Sequence, residues 1–412
     1  KNVLKKKSKI LSVVNGKTLL ENILNNFALI KKNNLIINQN QKDIINFVKK
    51  KNIKIKLFKE ITSLGDAGCL QELKKIKNYK KKNFIIVPGD LYCSINVKKL
   101  LKFHLNKNSK LTLVVHPSNH IYDSDAVKIS KNSQLLKLYK KPHRNVKIVG
   151  NLGLSGIYIV KGENLNLINK KIKLKSNKFI EKINKKINKI YCYNTPDFIK
   201  DSGTQDRIKY LKQALRNKKI YNLNYKQKRG CVFFDRDGVI NYEYPNEKYH
   251  NPLNICSGVF ESLSLLNKLN ILSIVVTNQP AIAKGFLREK KLNILHDKLL
   301  NFFSKNNCYL NDIFYCPHHP ERGFKGEVIK YKIKCNCRKP NTGLIDLAKK
   351  KYNIDLSKSC FVGNSKFDFL TAKNANIRYI HIGKKDLSIL CKNTKRFNNI
   401  YQATKFIIKT FF

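Results

Sequence analysis

The residues best able to do chemistry sit in Cys231–Asn241, which reads CVFFDRDGVIN. An apolar strand runs into Asp235 and then Asp237, with Gly238 following. Two carboxylates so spaced at a strand's carboxyl end can reach one ligand, and in a parallel sheet that end opens the binding crevice. Such a pair can hold Mg²⁺ through oxygen. One carboxylate can attack phosphorus while the other carries protons. A calcium-like or turn-forming acidic loop has the same letters, so the motif needs partners elsewhere.

Later segments supply them. Ile274–Asn278 is a second strand, ending in Thr277-Asn278-Gln279. A hydroxyl and amides there suit phosphate oxygens, although alone they would read as a helix cap or turn. Cys337-Arg338-Lys339-Pro340 sets two cations side by side, a clamp for a transferring phosphoryl group. Phe361–Asp368, FVGNSKFD, again follows an apolar strand with glycine and polar ligands. Cys316-Pro317-His318 and Cys335-Asn336-Cys337 offer three thiolates and an imidazole, enough for a closed, structural Zn²⁺ site. His319 is an alternative ligand. The neighbours His319, Glu321, Arg322, Lys334 and Arg338 are too hydrophilic for three core thiols. Zinc would fix the loop that presents Arg338 and Lys339.

In the first half, Ile85–Asp90 reads IIVPGD, a strand running into an acid suited to a metal beside nucleotide phosphates. Asp201-Ser202-Gly203-Thr204 places a second acid before a helix, and Leu64–Gly68, LGDAG, is a tight glycine-bearing loop. Each alone is an ordinary turn or cap; their order is the signal.

The elements that must position these residues alternate along the chain. Strands are expected at Asn34–Ile37, Phe84–Val87, Leu111–Val115, Val232–Phe234 and Ile274–Val276, and helices at Leu19–Phe27, Ile95–His104, Ser262–Leu269 and Lys290–Phe303. Alternation of this kind predicts an α/β fold with largely parallel sheets. The polar stretch 217–229 reads as a linker between a domain at 1–216 and one at 230–412, the second closing with a helical tail near Asn399–Phe411.

The net charge of +56 is spread over every segment and accompanies abundant Asn and Ile, the mark of a compositional bias. A nucleic-acid surface would cluster its charge and interleave aromatics, so no specific nucleic-acid partner is expected. No apolar run approaches the roughly 18 residues of a membrane span. The 11 cysteines are irregularly spaced. Cys69, Cys93, Cys192, Cys231, Cys256, Cys308, Cys360 and Cys391 read as reduced core side chains, which implies a cytoplasmic setting. The chain begins at Lys1 and has 0 methionines, so a missing start is expected.

The motifs FDRDGVIN, TNQPAIAKG, YCPHHP, CNCRKPNTG and VGNSKFD, in this order over Gly230–Gly383, resemble the haloacid dehalogenase superfamily. Within it they look most like the D-glycero-D-manno-heptose 1,7-bisphosphate phosphatases. Histidinol-phosphate phosphatases share DRDG, TNQ and CxCRKP, but the continuation Ile282-Ala283-Lys284-Gly285 is similar to the heptose enzymes. The resemblance implies that Asp235 is the nucleophile and Asp237 the general acid/base. Thr277 and Lys339 would bind phosphoryl oxygens, with Asn278 and Arg338 on the substrate. Asp235, Asp237, Asn364 and Asp368 would surround Mg²⁺, and Cys316, His318, Cys335 and Cys337 would hold Zn²⁺. The family usually carries Asp where this chain has Asn364, so the site loses one negative charge unless Asp368 compensates. A non-catalytic binding protein and a nucleic-acid 3′-phosphatase are the rival readings.

The first half, through VVNGKTLLENIL, HPSNHIYDSD, KKPH, NLGLSGIYI and YNTPDFIKDSGTQDR, resembles the sugar-1-phosphate nucleotidyltransferases of the heptose-1-phosphate type. This implies Mg²⁺ on Asp90 and Asp201 and phosphate on Lys9. Lys141 and Asn151 would meet the sugar phosphate, and the loop containing Gly65 would face the base. The family opens with a strand and a glycine-rich loop that cradles a triphosphate, and Lys1–Ile10 contains neither. Together the halves imply two Rossmann-like domains, nucleotidyltransferase-like and then haloacid dehalogenase-like. Their partners would be a sugar phosphate and a nucleoside triphosphate.

Overall fold

The alternating runs of the first half become strands and helices close to their expected places. A computed structural model describes residues 8–119, 121–141, 143, 150–169, 171–187, 189–216, 220, 224–243, 251, 253–383 and 394–412. Cys391 and residues 217–219 and 221–223 of the expected linker lie outside the described residues. The chain divides into two units, with a boundary between Lys226 and Gln227; residues 117–123 and 150–151 group with the second.

In the first unit, β1 (Val13–Val14) and β2 (Lys17–Thr18) form a hairpin leading into α1 (Leu19–Asn26). Thr18 and Glu21 close the start of α1 with a capping box, each side chain taking the other's backbone N–H. β3 (Asn34–Asn38), α2 (Lys42–Lys50) and β4 (Lys56–Glu60) make a parallel βαβ unit. After the single turn α3 (Gly65–Gly68) come β5 (Asn83–Ile86), β6 (Leu91–Ser94), α4 (Val97–Asn106) and β7 (Leu111–Pro117). Then follow β8 (Ala126–Ile129), β9 (Leu135–Tyr139), β10 (Leu152–Lys161), α5 (Ser176–Ile187), β11 (Ile190–Asn194), β12 (Phe198–Asp201) and α6 (Gln205–Arg216). The main sheet runs β11-β7-β10-β8-β9, with β5 also on β10. It is mixed. β11 and β7 are parallel, whereas β10 runs antiparallel to β5 and β8. β12 pairs antiparallel with β6, matching Asp201 with Leu91, and this brings the residue after β12 beside Asp90.

The second unit has a sheet in the order β15-β14-β13-β16-β17-β18, parallel at each junction. Its elements are β13 (Cys231–Phe234), α7 (Val259–Lys268), β14 (Leu272–Asn278), α8 (Glu289–Lys305), β15 (Asp312–Cys316) and α9 (Gly343–Tyr352). They continue with β16 (Cys360–Gly363), α10 (Lys366–Asn374), β17 (Arg378–Ile382), β18 (Lys395–Phe397) and α11 (Ile400–Phe411). β13 is central and wholly buried, as expected of a parallel strand covered on both faces. Its side chains alternate. Val232 and Phe234 pack with Leu263 of α7 and Ile407 of α11, and Cys231 and Phe233 with Ile345 and Ala348 of α9. Truncating Phe233 or Phe234 to Ala would cost about 3–5 kcal/mol. Connections leave β13 toward β14 on one side and β16 on the other, so the crevice opens where strand order reverses. Arg229, expected to end the linker, instead belongs here: its N–H and carbonyl bond to Asn353 and Asp355. No helix among the described residues is long and apolar enough to cross a membrane.

Candidate active sites

Asp235 follows β13, its backbone N–H held by the Val362 carbonyl of β16. Lys339 Nζ lies 2.8 Å from Asp235 Oδ1 and 2.6 Å from Asp368 Oδ1. All three are buried. A lone ammonium would not tolerate such burial; two carboxylates make it tolerable. Burial pulls the Lys339 ammonium down, but Asp235 and Asp368 outweigh it and raise it. Burial pushes the Asp235 carboxyl up, Asp368 adds to this, and Lys339 only partly offsets them, leaving it at about 7. Arg236 N–H and Lys339 both contact Oδ1 of Asp235.

Asp237 is gripped differently. Arg236 donates Nε and Nη2 to its Oδ1 at 3.1 and 2.9 Å, and Asn241 Nδ2 donates to the same oxygen at 2.9 Å. Gln279 Nε2 reaches Oδ2 at 2.8 Å and Thr277 Oγ1 at 3.1 Å. Burial opposes ionisation of Asp237, yet Arg236, Asn241 and Gln279 prevail and hold its pKa below the usual range. Both oxygens of Asp237 thus accept hydrogen bonds from neighbouring side chains, which hold the carboxylate in one orientation.

Asp368 is likewise committed. Oδ1 faces Lys339, while Oδ2 accepts the Asn364 and Ser365 N–H groups and the Ser365 hydroxyl. It caps α10 and pairs with Lys339. Asn364 Nδ2 donates to Glu243 Oε2 at 3.2 Å, bringing a carboxylate to the neutral position. Gly238 makes room: at φ +78°, a Cβ there would lie 1.9 Å from Asn364 Nδ2. Asn278 also takes a role not foreseen. Its amide oxygen accepts Lys339 N–H at 2.9 Å and its Nδ2 donates to the Lys339 carbonyl at 3.2 Å, so it positions the lysine.

Cys316, His318, Cys335 and Cys337 place their ligand atoms within 4.8 Å of one another. The sulfur–sulfur distances are 3.6, 3.2 and 3.4 Å, and His318 Nδ1 lies 3.3 Å from Cys337 Sγ. Arms of about 2.3 Å to a tetrahedral ion imply sulfur separations near 3.8 Å, so this donor set fits zinc. His319 turns instead toward Glu321, its Nε2 3.7 Å from the carboxylate. Arg338 donates Nη1 to the His318 carbonyl at 3.1 Å, which ties the cluster to the cation beside Lys339.

In the first unit Asp90, Asp201 and Lys9 converge around Gly203. A Cβ on that glycine would stand 2.9 Å from Asp201 Oδ1, 3.2 Å from Asp90 Oδ2 and 3.7 Å from Lys9 Nζ. Burial and then the neighbouring Asp201 raise the Asp90 carboxyl, against Lys9 and Arg207. A pair of acids strained in this way suits a cation. Arg207 is paired with Asp201. The other expected residues stand elsewhere. Gly65 turns at φ +80° against the Leu174 carbonyl. Lys141 is exposed, its N–H on Asp125 Oδ1. Asn151, expected on the sugar phosphate, is buried, and its Nδ2 donates to the Leu310 carbonyl at 2.9 Å.

The nucleotidyl transferase family matches residues 4–217, just over half the chain. The D-glycero-beta-D-manno-heptose-1,7-bisphosphate 7-phosphatase of Vibrio cholerae is 36% identical over 147 residues, 36% of this chain and 77% of that protein. The D-glycero-alpha-D-manno-heptose-1,7-bisphosphate 7-phosphatase of Photorhabdus laumondii is 33% identical over 178 residues, 43% of this chain and 95% of that protein. The chain belongs to the nucleotidyl transferase family and, through its second unit, to the heptose-bisphosphate phosphatases. It is therefore an enzyme that joins a nucleotidyl transferase domain to a phosphatase domain. The crystal structure of D,D-heptose 1.7-bisphosphate phosphatase from B. bronchiseptica, complexed with magnesium and phosphate, overlays with a TM-score of 0.38 at 22% identity. It covers 44% of this chain and 98% of that one.

In the phosphatase unit, Arg236, Asn241 and Gln279 lie inside the motifs that betray the family, but their grip on Asp237 is visible only once β13 and β14 are side by side. Glu243 and His296, which touch Asn364 and Arg236, carry no signal in the sequence.

Proposed function

We propose that the phosphatase unit hydrolyses the 7-phosphate of D-glycero-D-manno-heptose 1,7-bisphosphate, leaving heptose 1-phosphate and inorganic phosphate. The first unit would join that 1-phosphate to a nucleotide from a nucleoside triphosphate, releasing pyrophosphate. The observation that carries the first step is the buried Lys339 between Asp235 and Asp368. It places a cation beside a nucleophile, and the relatives named for this substrate supply the substrate class.

Asp235 Oδ2 attacks the C7 phosphorus, and the bond to the sugar oxygen breaks. Asp237, which the incoming phosphate dianion shifts toward its protonated form, gives that oxygen its proton. The resulting aspartyl-phosphate is attacked by water, which passes its proton to Asp237, and Asp235 leaves as carboxylate. Lys339 and Thr277 would bind the phosphoryl oxygens, and Arg338 would help select the substrate. Asp235 and Asn364, with Glu243 at its amide, would hold a magnesium ion, which neutralises charge on the phosphoryl group when bound. A zinc ion on the three cysteines and His318 would fix the Arg338 loop. In the first unit Asp90 and Asp201 would hold a second magnesium, beside Lys9.

The test is phosphate release from heptose 1,7-bisphosphate with Mg²⁺, comparing the chain with Asp235→Asn. Turnover should fall by about a thousandfold or more in the variant. Equal release by both proteins would overturn the assignment. Histidinol phosphate and a 3′-phosphorylated oligonucleotide serve as competing substrates, and preference for either would replace the sugar.

A further inference from the structure

Arg236 is 1% exposed, so its charge must be met inside the protein. Nε and Nη2 grip Asp237, as described. Nη1 lies 3.0 Å from Nε2 of His296, itself buried on α8. A guanidinium has donors and no acceptor, and it stays charged. His296 Nε2 must therefore be the acceptor, which requires a neutral imidazole carrying its proton on Nδ1.

His296 has a second fixed face. Its ring meets Tyr315 of β15 in a T-shaped contact, with centroids 5.4 Å apart. The Tyr315 hydroxyl is within hydrogen-bond distance of Glu289, at 3.0 Å, and of Asn293, at 2.8 Å, both on α8. The helix positions the tyrosine, and the tyrosine restricts the imidazole. His296 also falls on the buried stripe of α8, four residues after Leu292 and three before Leu299. An apolar residue would satisfy that stripe. The sequence places there a ring whose lone pair meets the third donor of the arginine.

We propose that His296 is a positioning residue for the phosphoryl-transfer site, acting through Arg236 to hold the Asp237 carboxylate in line with the leaving oxygen. It touches no reacting atom. The inference rests on the proposed proton-handling role of Asp237. Without an acceptor on Nη1, the buried guanidinium must turn to find one, and its bonds to Asp237 turn with it.

The experiment compares phosphate release by the full chain with His296→Leu and His296→Gln. The leucine variant should lose about tenfold to a hundredfold in kcat with KM within about twofold, since misplacement by about 1 Å is costly to catalysis. Glutamine, whose side-chain oxygen can accept from Nη1, should recover most of that loss. Equal impairment of both variants would reduce His296 to packing, and unchanged kcat in the leucine variant would remove it from the mechanism. A second measurement covers a leucine variant that does not fold. In ¹⁵N-histidine-labelled wild type, the signal absent from His296→Gln should show Nδ1 protonated and Nε2 bare. A proton on Nε2 would overturn the proposal. Failure of the phosphatase reading is separate: wild type would then release no more phosphate than Asp235→Asn.

Discussion

The side-chain amide of Asn364 donates to Oε2 of Glu243 at 3.2 Å. An uncharged residue at the end of β16 is thereby joined to a carboxylate from the loop after β13. Asp237 and Asp368 have their oxygens committed to Arg236, Asn241, Gln279, Lys339 and Ser365, so Glu243 is the acid placed to restore the charge. Glu243→Gln should raise the Mg²⁺ concentration for half-maximal phosphate release by about tenfold, the scale on which supporting ligands act. Asn364→Asp in that background should bring it back. An unchanged Mg²⁺ midpoint in Glu243→Gln would show that charge at this position is irrelevant.

The Asp235 carboxyl gives the site a pH signature. In the metal-free fold it holds its proton up to about 7, against about 3.9 in the unfolded chain. The folded state binds this proton more tightly, so the contribution to stability is full below the unfolded value and is lost as pH rises toward 7. Asp235→Asn removes the titration. Denaturation midpoints of wild type relative to the variant should therefore decline between about pH 4 and pH 7. Saturating Mg²⁺ favours the ionised carboxylate and should flatten the decline. Parallel curves for the two proteins, without metal, would contradict the raised Asp235 carboxyl.

Much of this was legible in the sequence, for reasons that particular residues make plain. The run Cys231–Phe234 is apolar at every position, so a strand covered on both faces was the natural reading, and Asp235 and Asp237 had to emerge at its end. The cysteine cluster was equally legible, because three thiols and an imidazole in polar surroundings have few uses. What stayed hidden depends on distance across the fold. Asn278 looked like a substrate ligand because its motif follows a strand, yet both ends of its amide hold Lys339, which comes 61 residues later. Asn151 looked available to a sugar and is buried against Leu310. The alternation of strands and helices points to largely parallel sheets, and only the pairing of β10 with β5 and β8 reveals the antiparallel part of the first sheet. Hydrophobic period says which residues are buried and leaves strand direction open.

The metal cluster gives a prediction on stability coupled to chemistry. Cys335→Ser removes one of the three sulfurs and should abolish stoichiometric zinc, read by elemental analysis. Structural zinc sites contribute directly to folding, so the thermal midpoint of the second unit should drop by about 10 °C or more. Activity should fall further than the loss of folded protein explains, because Arg338 hangs from the His318 carbonyl at 3.1 Å. Full zinc content in the serine variant would rule out this ligand set.

The pair Asp90 and Asp201 separates the two activities. Asp201 Oδ1 accepts the Gly203 N–H at 2.6 Å, and burial with the neighbouring carboxylate raises Asp90, so the pair is poised to gain from a divalent cation. Asp201→Asn removes one negative charge and leaves a side-chain oxygen in place. Titration with Mn²⁺ followed by electron paramagnetic resonance should show one bound ion fewer per chain than wild type. Nucleotidyl transfer to heptose 1-phosphate, followed as pyrophosphate release, should fall by about a hundredfold. Phosphate release from the bisphosphate should stay within about twofold, because Asp201 shares no ligand with Asp235. Unaltered Mn²⁺ stoichiometry would remove Asp201 from the cation site, and an equal fall in both reactions would point to a folding defect common to the chain.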